Sequence, residues 1–161
     1  MTAVSTGPDL HPDVAPLKFL LGTWVGEGRG EYPTIEPFGY GEEVRFWHVG
    51  KPWLAYSQRT WSPADERLLH AEAGYWRPQP GGRVEVVLTH PTGLVEIQLG
   101  TVGGTVLELA SSLVAGTPTA KEVTEVRRRY EVAGDVLSYR VAMAAVGQPL
   151  QHHLAAQLHR A

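Results

Sequence analysis

Histidine is the residue type that offers the most chemistry in this 161-residue sequence, which contains seven histidines and no cysteine. An imidazole binds metals and titrates near neutral pH, whereas the lack of cysteine excludes disulfides, thiolate nucleophiles and cysteine-ligated zinc, iron–sulfur or haem sites. His152 and His153 are adjacent, so on a strand they point to opposite faces and at most one of them faces inward. His70 shares a strand face with Glu72, and this pair is either an acid–base unit or a polar pair on the outside. Three further histidines fit solvated or structural positions: His11, His90 and His159.

Signatures of several other sites are missing from the sequence. It has no Gly-x-Ser-x-Gly motif, no P-loop and no paired-histidine zinc motif on a credible helix. Fourteen basic and seventeen acidic side chains give a net charge of −3, which is the wrong sign for a nucleic-acid-binding module. No run approaches the roughly 20 apolar residues that span a membrane, and the first residues do not resemble a signal peptide. We therefore expect a cytoplasmic protein whose partner is a small molecule or another protein.

Most of the chain alternates apolar and polar residues, which is typical of half-buried strands. Glycine, proline and aspartate separate the alternating segments, as expected of short turns. The pattern predicts strands over Thr23–Glu31, Tyr40–Val49, Trp53–Trp61, Leu68–Arg77, Arg83–Thr89, Leu94–Val102, Thr105–Val114, Lys121–Val132, Val136–Ala144 and Pro149–Arg160.

Ten strands with short connections favour an antiparallel up-and-down order, and closure of so long a sheet removes its exposed edges. The sequence therefore predicts an all-β fold, a ten-stranded antiparallel up-and-down β-barrel similar to lipocalins and fatty-acid-binding proteins. A barrel of this width encloses more space than its side chains fill, so a ligand cavity is expected.

The segment before the first strand is expected to form a tail and a short helix. Residues 1–11 lack periodicity, which predicts a flexible tail ahead of a single barrel domain over residues 12–161. Asp13 is a suitable N-cap for a helix over Val14–Leu21 that would cover one end of the barrel. The apolar side of this helix would consist of Leu17, Leu20 and Leu21.

Glycines and prolines make two further segments unusual. The motif Gly22-Thr23-Trp24-Val25-Gly26-Glu27-Gly28 favours either a first strand that closes the floor of the barrel or a loose glycine-rich loop. In the segment Tyr32–Gly39, two prolines break the strand pattern and present Ile35 and Phe38 beside the hydroxyl of Thr34. This segment is either a flap at the mouth of a pocket or a connecting loop whose Phe38 packs into the core.

Five blocks of the sequence resemble the nitrobindin family of small haem proteins, and the match covers nearly all of Leu17 to Arg160. The blocks are GTWVGEGRGEYPTIEPFGYGEEVRF, HVGKPWLAYSQRTW, LHAEAGYWRP, PTAKEV and AVGQPLQHHLAAQL. The resemblance implies a barrel that binds one haem b per chain, with His153 as the proximal iron ligand. It also implies Lys121 as a neighbour of a haem propionate, although simple alternation places Lys121 on the outer face. The pocket wall that the resemblance implies consists of Thr34, Ile35, Phe38, Leu69, His70 and Met143.

The resemblance further implies that the ferric protein binds nitric oxide and isomerises peroxynitrite to nitrate, with the cofactor supplying the chemistry. A neutral imidazole would give the iron one strong bond and leave the sixth position open. A different function, the carriage of a fatty acid or another small hydrophobic ligand, stays open. Arg128 shares the inward parity of Val126 and Tyr130, and an interior arginine could anchor a carboxylate.

The turn before the last strand decides which of the two adjacent histidines enters the cavity. Val146 resists a positive φ, so a two-residue Val146-Gly147 turn is disfavoured and an odd-numbered loop is expected. Such a loop would pair His153 with Tyr139 or Val141 and turn it inward. Three leucines would then face outward and need a cover, either the N-terminal helix or a second subunit in a homodimer: Leu150, Leu154 and Leu158.

Overall fold

The computed structural model of the protein describes residues 7–161, and it shows a short helix followed by a closed barrel of ten antiparallel strands. The strands are β1 (Gly22–Tyr32), β2 (Ile35–Trp47), β3 (Leu54–Trp61), β4 (Leu68–Gln79), β5 (Arg83–His90), β6 (Leu94–Gly103), β7 (Val106–Gly116), β8 (Val123–Ala133), β9 (Val136–Ala145) and β10 (Gln151–Arg160). Each strand pairs with its neighbours in sequence, and β1 pairs with β10 to close the barrel. The predicted ten-stranded up-and-down barrel is confirmed.

Alternation sets the two faces of the strands. On β9, Leu137, Tyr139 and Val141 are buried inside the barrel, whereas Arg140 is exposed. Inward residues of neighbouring strands are paired with each other, for example Tyr130 of β8 with Tyr139 of β9. The apolar side chains thereby leave water, and closure of the ring gives each of the ten strands a paired neighbour on both sides.

The N-terminal helix is a 3₁₀ helix over Pro12–Leu20 and not the expected helix over Val14–Leu21. Its fully buried residues recur at every third position, which matches the three residues per turn of a 3₁₀ helix. Leu21 lies beyond the helix and is only partly buried. The buried residues are Val14, Leu17 and Leu20.

The cap of this helix also differs from the prediction. His11 is the N-cap, and its Nδ1 accepts a hydrogen bond from the backbone N–H of Asp13 at 3.1 Å. Asp13 therefore lies inside the first turn and does not cap it. At the other end the indole N–H of Trp24 donates to the carbonyl of Leu20 at 2.8 Å, which fixes the helix against the start of β1.

The glycine-rich motif forms the regular strand β1 and not a loop. Trp24 is fully buried within it. A Cβ at Gly26 would collide with the backbone of β10, and a Cβ at Gly28 would collide with the ring of Tyr40. These two positions therefore need glycine because their neighbours approach the backbone closely.

The strand break expected over Tyr32–Gly39 is much shorter than predicted. A two-residue turn, 33–34, joins β1 to β2. The register between the two strands shifts between Gly30 and Tyr32. Pro37 falls opposite this irregular site, where the ladder requires no N–H from it, so β2 continues through the proline.

The predicted pairing of His153 with Tyr139 or Val141 is wrong. The connection spans residues 146–150, and Val146 itself adopts a positive φ of 47°. His152 pairs with Ala142 and Leu154 pairs with Val141, so a β-bulge lies between them and His153 has no partner of its own. His153 keeps the inward face that follows from the pairing of His152 with Ala142, and the bulge places Leu154 on this inward face as well.

The three leucines expected on the outside do not form an exposed stripe. Leu158 is fully buried opposite Leu137, and Leu154 packs against the core. Leu150 lies in the connection and is partly buried. These leucines therefore do not require a covering helix or a second subunit.

The remaining differences concern the tail and one strand start. Residues 1–6 of the predicted tail lie outside the described residues, and residues 7–11 have no regular structure. β8 begins at Val123 and not at Lys121, because a turn over residues 117–120 delays the strand. Within residues 7–161, no helix is long and apolar enough to cross a membrane.

Candidate functional site

The barrel encloses a cavity of about 580 Å³, a size that suits a small organic ligand or cofactor. Its lining includes strand ends beside the β1–β2, β3–β4, β5–β6 and β9–β10 connections. In an up-and-down barrel these connections share one end, and the N-terminal helix packs at the other. Along β2 the lining runs inward from Phe38 through Tyr40 to Glu42, so this wall of the cavity becomes more polar with depth.

His153 is held at the mouth by its neighbours. Its Nδ1 lies 3.0 Å from the carbonyl oxygen of Glu31, and its ring packs edge-on against Tyr32 with the centroids 5.4 Å apart. The ladder between β1 and β10 ends at Gly30 and Leu154, so the carbonyl of Glu31 is free to accept this bond. The Tyr32 hydroxyl is fixed in turn, because it accepts from the backbone N–H at the end of β9 at 2.9 Å.

The bond to Glu31 fixes the tautomer of His153. A carbonyl only accepts, so Nδ1 carries the proton and donates it. Burial lowers the pKa of His153, so the ring is neutral at pH 7. Nε2 therefore keeps a lone pair for a ligand in the cavity. Metal-binding histidines are commonly oriented by such a bond from the other ring nitrogen.

Five of the other residues implied by the resemblance line the same cavity as His153: Ile35, Phe38, Leu69, His70 and Met143. Two do not belong to this lining. Thr34 is exposed in the β1–β2 turn, and Lys121 is exposed before β8. The basic side chain of Arg67 lies at the mouth instead. His152 is exposed, consistent with its pointing away from His153.

An ion-pair cluster forms the deep wall of the cavity. Arg128 faces inward as its parity predicts, and it is 7% exposed. Its Nε and Nη2 donate to the two carboxylate oxygens of Glu96 at 2.8 and 2.9 Å, and its Nη1 donates to Glu72 at 3.2 Å. Burial alone would raise the pKa of Glu96. The charge of Arg128, with hydrogen bonds from His90, Arg128 and Gln98, holds this pKa well below its usual range.

A second polar group lies around Glu42, which is 1% exposed. The hydroxyl of Tyr139 donates to Glu42 Oε1 at 2.7 Å, and the Gln58 amide donates to Oε2 at 2.6 Å. Because the Tyr139 proton is used in this way, Tyr40 donates to the Tyr139 oxygen across 2.7 Å. Burial raises the pKa of the Glu42 carboxyl to about 7, against the opposing effect of the hydrogen bonds from Tyr139 and Gln58.

His70 and Glu72 both line the cavity, but they do not bond to each other. Glu72 binds Arg128, whereas His70 Nε2 lies 3.1 Å from Nδ1 of His90. His90 Nε2 in turn lies 2.9 Å from Glu96 Oε2. The interpretation of His90 as a structural residue beside a turn therefore misses its place in the cavity wall.

The sequence pattern did not identify Glu96 because β6 turns its polar residues inward and its apolar residues toward solvent. Its apolar residues Val95 and Leu99 face outward and are 43% and 47% exposed, whereas Glu96 and Gln98 face inward and are buried. The alternation is present, but it does not say which face is the inner one. The signal that could have found the inversion is the inward parity of Arg128, because a buried cation needs carboxylate partners.

The residues at the mouth fit a haem. One neutral imidazole with a free Nε2 and an apolar surround are the donor set that a five-coordinate haem iron requires. Residues 7–161 contain no cluster of three or more histidine, aspartate or glutamate side chains able to hold a bare metal ion. A haem iron needs no such cluster, since its porphyrin supplies four of the ligands.

Comparisons with known proteins agree with these features. The family model described as a THAP4-like, heme-binding beta-barrel domain matches residues 13–160. The chain is 58% identical over 157 residues to peroxynitrite isomerase 2 of Mycobacterium avium, with 94% of this chain and 97% of the relative covered. It is 54% identical over 159 residues to peroxynitrite isomerase 1 of Mycobacterium tuberculosis, again with 94% and 97% covered.

A solved structure has the same fold. The crystal structure of Rv2717c from M. tuberculosis has a TM-score of 0.89 to this chain at 54% sequence identity, and the match covers 95% of this chain and 99% of that one. Both the family model and the relatives thus span almost the whole barrel. The chain belongs to the nitrobindin family of THAP4-like, haem-binding β-barrel domains.

Proposed function

We propose that the protein binds one haem b at the mouth of the cavity, with Nε2 of His153 as the iron ligand, and isomerises peroxynitrite to nitrate. The observation that carries this proposal is the imidazole of His153, which is fixed by Glu31 and keeps a free lone pair in an apolar surround. The relatives named as peroxynitrite isomerases support the choice of reaction.

The side chains around His153 have separable roles in this proposal. Ile35, Phe38 and Leu69 supply apolar contact, which is the main source of affinity for a macrocycle. Arg67 at the mouth and Lys121 outside it are the cations available to the propionates. When bound, ferric haem supplies an iron with an open position at which nitric oxide binds and peroxynitrite rearranges to nitrate.

The alternative function as a fatty-acid carrier relied on an interior arginine. Arg128 is interior, but its guanidinium is bound by the two carboxylates Glu72 and Glu96. A fatty-acid carboxylate would have to displace one of them and would meet the charge of the other. The geometry therefore favours a haem protein over a carrier.

Stopped-flow measurement of peroxynitrite decay tests the proposed function. The haem-loaded protein should accelerate the decay and raise the yield of nitrate over nitrite, whereas the apoprotein should do neither. The His153→Ala variant incubated with the same haemin is the matched control, since it retains the barrel but lacks the ligand. Equal decay rates for the loaded protein and the apoprotein would contradict the proposal.

We also propose a cytoplasmic location, which is supported by the complete lack of cysteine, as expected of a protein in a reducing compartment. A homodimer stays a prediction, and sedimentation of the purified protein tests it. Cell fractionation with an antibody to the barrel tests the location.

A further inference from the structure

A hydrogen-bonded chain crosses three strands in the wall of the cavity. It runs from His70 on β4 to His90 at the end of β5 and on to Glu96 on β6, with heavy-atom distances of 3.1 and 2.9 Å. All three residues line the cavity that also contains His153. The side chain of His90 is 9% exposed and that of Glu96 is 3% exposed, so the inner part of the chain is shielded from water.

The positions of the protons in this hydrogen-bonded chain follow from the carboxylate of Glu96 at its end. Glu96 is a carboxylate that already accepts two bonds from Arg128 and one from Gln98, so it accepts a fourth from Nε2–H of His90. In neutral His90, Nδ1 is then an acceptor, and the partner nitrogen, Nε2 of His70, carries the proton. The remaining nitrogen of His70, Nδ1, keeps a lone pair that is available to the cavity.

Of the groups around His70, the carboxylates Glu72 and Glu96 favour its protonated form, whereas burial and Arg128 oppose it. Two carboxylates, Glu72 on β4 and Glu96 on β6, share the one guanidinium of Arg128 on β8, which leaves a surplus negative charge beside the histidines. These three groups and His90 are the charged or titratable groups that act on His70. Burial lowers the pKa of His70, so the ring is neutral at pH 7 and its Nδ1 carries a lone pair and no proton.

We propose that His70 is an acid–base residue of the cavity, whose Nδ1 takes a proton from a weakly acidic ligand, and that His90 and Glu96 are its positioning residues. For the proposed reaction, on which this assignment of the substrate rests, the ligand would be peroxynitrous acid, which would leave as its anion. The proton arrives at Nδ1 of His70, the proton on its Nε2 moves to Nδ1 of His90, and the resulting imidazolium faces the Glu96 carboxylate.

Long-range ¹H–¹⁵N NMR of the apoprotein shows which ring nitrogen of His70 and of His90 carries the proton, and hence the direction of the hydrogen bonds between them. At pH 8 both His70 and His90 should be the Nε2–H tautomer. Glu96→Gln should reverse both, because Arg128 and Gln98 hold the new amide oxygen at the Oε1 position and direct the NH₂ toward His90. An Nδ1–H tautomer of His70 in the wild-type protein would overturn the proposal.

Cyanide is a suitable weak acid for the haem-loaded protein, because it must lose its proton in order to bind ferric iron. The wild-type association rate should be nearly independent of pH between 6 and 8. His70→Gln should bind about 100-fold more slowly at pH 6, with a rate that rises about tenfold per pH unit as free cyanide anion replaces proton transfer. Glu96→Gln should show the same pH profile as His70→Gln, and His152→Gln, an exposed control, should match the wild type.

These outcomes separate the acid–base role from the haem assignment. A wild-type rate and pH profile in His70→Gln would overturn the proposal, even with the tautomers as expected. If the protein takes up no haem, the proposed function fails, and the apoprotein tautomers alone then decide whether His70 is a proton acceptor.

Discussion

Replacing Arg128 by leucine is expected to lower the free energy of unfolding by about 3–5 kcal/mol at pH 7, because two buried carboxylates lose their cation. Glu72 and Glu96 are 8% and 2% exposed, so water cannot replace the guanidinium. The three hydrogen bonds to these carboxylates are each of the charge-assisted kind, worth about 1.5–3 kcal/mol when measured singly. They are not additive, which keeps the expected total near the cost of one broken buried ion pair.

The pH dependence of this loss has a definite sign. In the wild-type protein the pKa of Glu96 is held well below its usual range, despite the opposing effect of burial. Glu96 therefore stabilises the fold above its unfolded pKa of about 4.3, and this stability is lost as the pH falls toward the folded value. In Arg128→Leu the burial remains and the attraction is gone, so folding now favours the protonated acid. The deficit of the variant should shrink as the pH falls from 7 to 5.

Urea unfolding at pH 5 and pH 7 measures both effects. The control is Arg128→Leu combined with Glu72→Gln and Glu96→Gln, which removes the charges with little change of shape. This triple variant should recover much of the stability at pH 7 and lose the dependence on pH. A deficit of Arg128→Leu below about 1 kcal/mol at pH 7, or one that is equal at both pH values, would refute the reasoning.

Three further predictions concern the interior of the barrel. Burial raises the pKa of Glu42 to about 7. Relative to Glu42→Gln, the unfolding free energy of the wild type should therefore fall as the pH rises from about 5 to 7 and level off above, and a difference that stays constant with pH would contradict this. Gly74→Ala should cost about 1–3 kcal/mol in thermal unfolding, since a Cβ would collide with the backbone of β5, whereas Gly103→Ala, with no atom within 4 Å, should be nearly neutral. Leu158→Ala should cost about 2–5 kcal/mol, and Leu99→Ala, which is 47% exposed, much less; similar losses would place Leu158 outside the core.

The strand pattern predicted the architecture because closure into a barrel needs only strand number, short turns and two-residue alternation. The alternation also placed Arg128 inside correctly. It could not find the residues that bind this arginine. Glu96 lies 32 residues away on a strand whose apolar face points to solvent, and only the packed barrel brings the two together.

His153 lines the cavity as predicted, but its pairing and the outward face of the leucines were predicted wrongly, because a local rule was applied where tertiary contacts decide. Val146 adopts the positive φ that its branched side chain disfavours, and a β-bulge at His153 turns Leu154 and Leu158 inward. No periodicity marks that bulge. The assignment of His153 came from the resemblance to nitrobindins, and its bond to Glu31 is a fact that only the folded chain supplies.

A haemin titration followed by the Soret band tests the proposed iron ligation most directly. The wild-type protein and His152→Ala should each bind one equivalent of haemin with the same spectrum, because His152 is exposed. His153→Ala should lose the bound haem on a desalting column and recover it when imidazole is added, since free imidazole can occupy the vacated position. Retention of haem by His153→Ala with an unchanged Soret band, or loss of haem by His152→Ala instead, would contradict the assignment of His153 as the iron ligand.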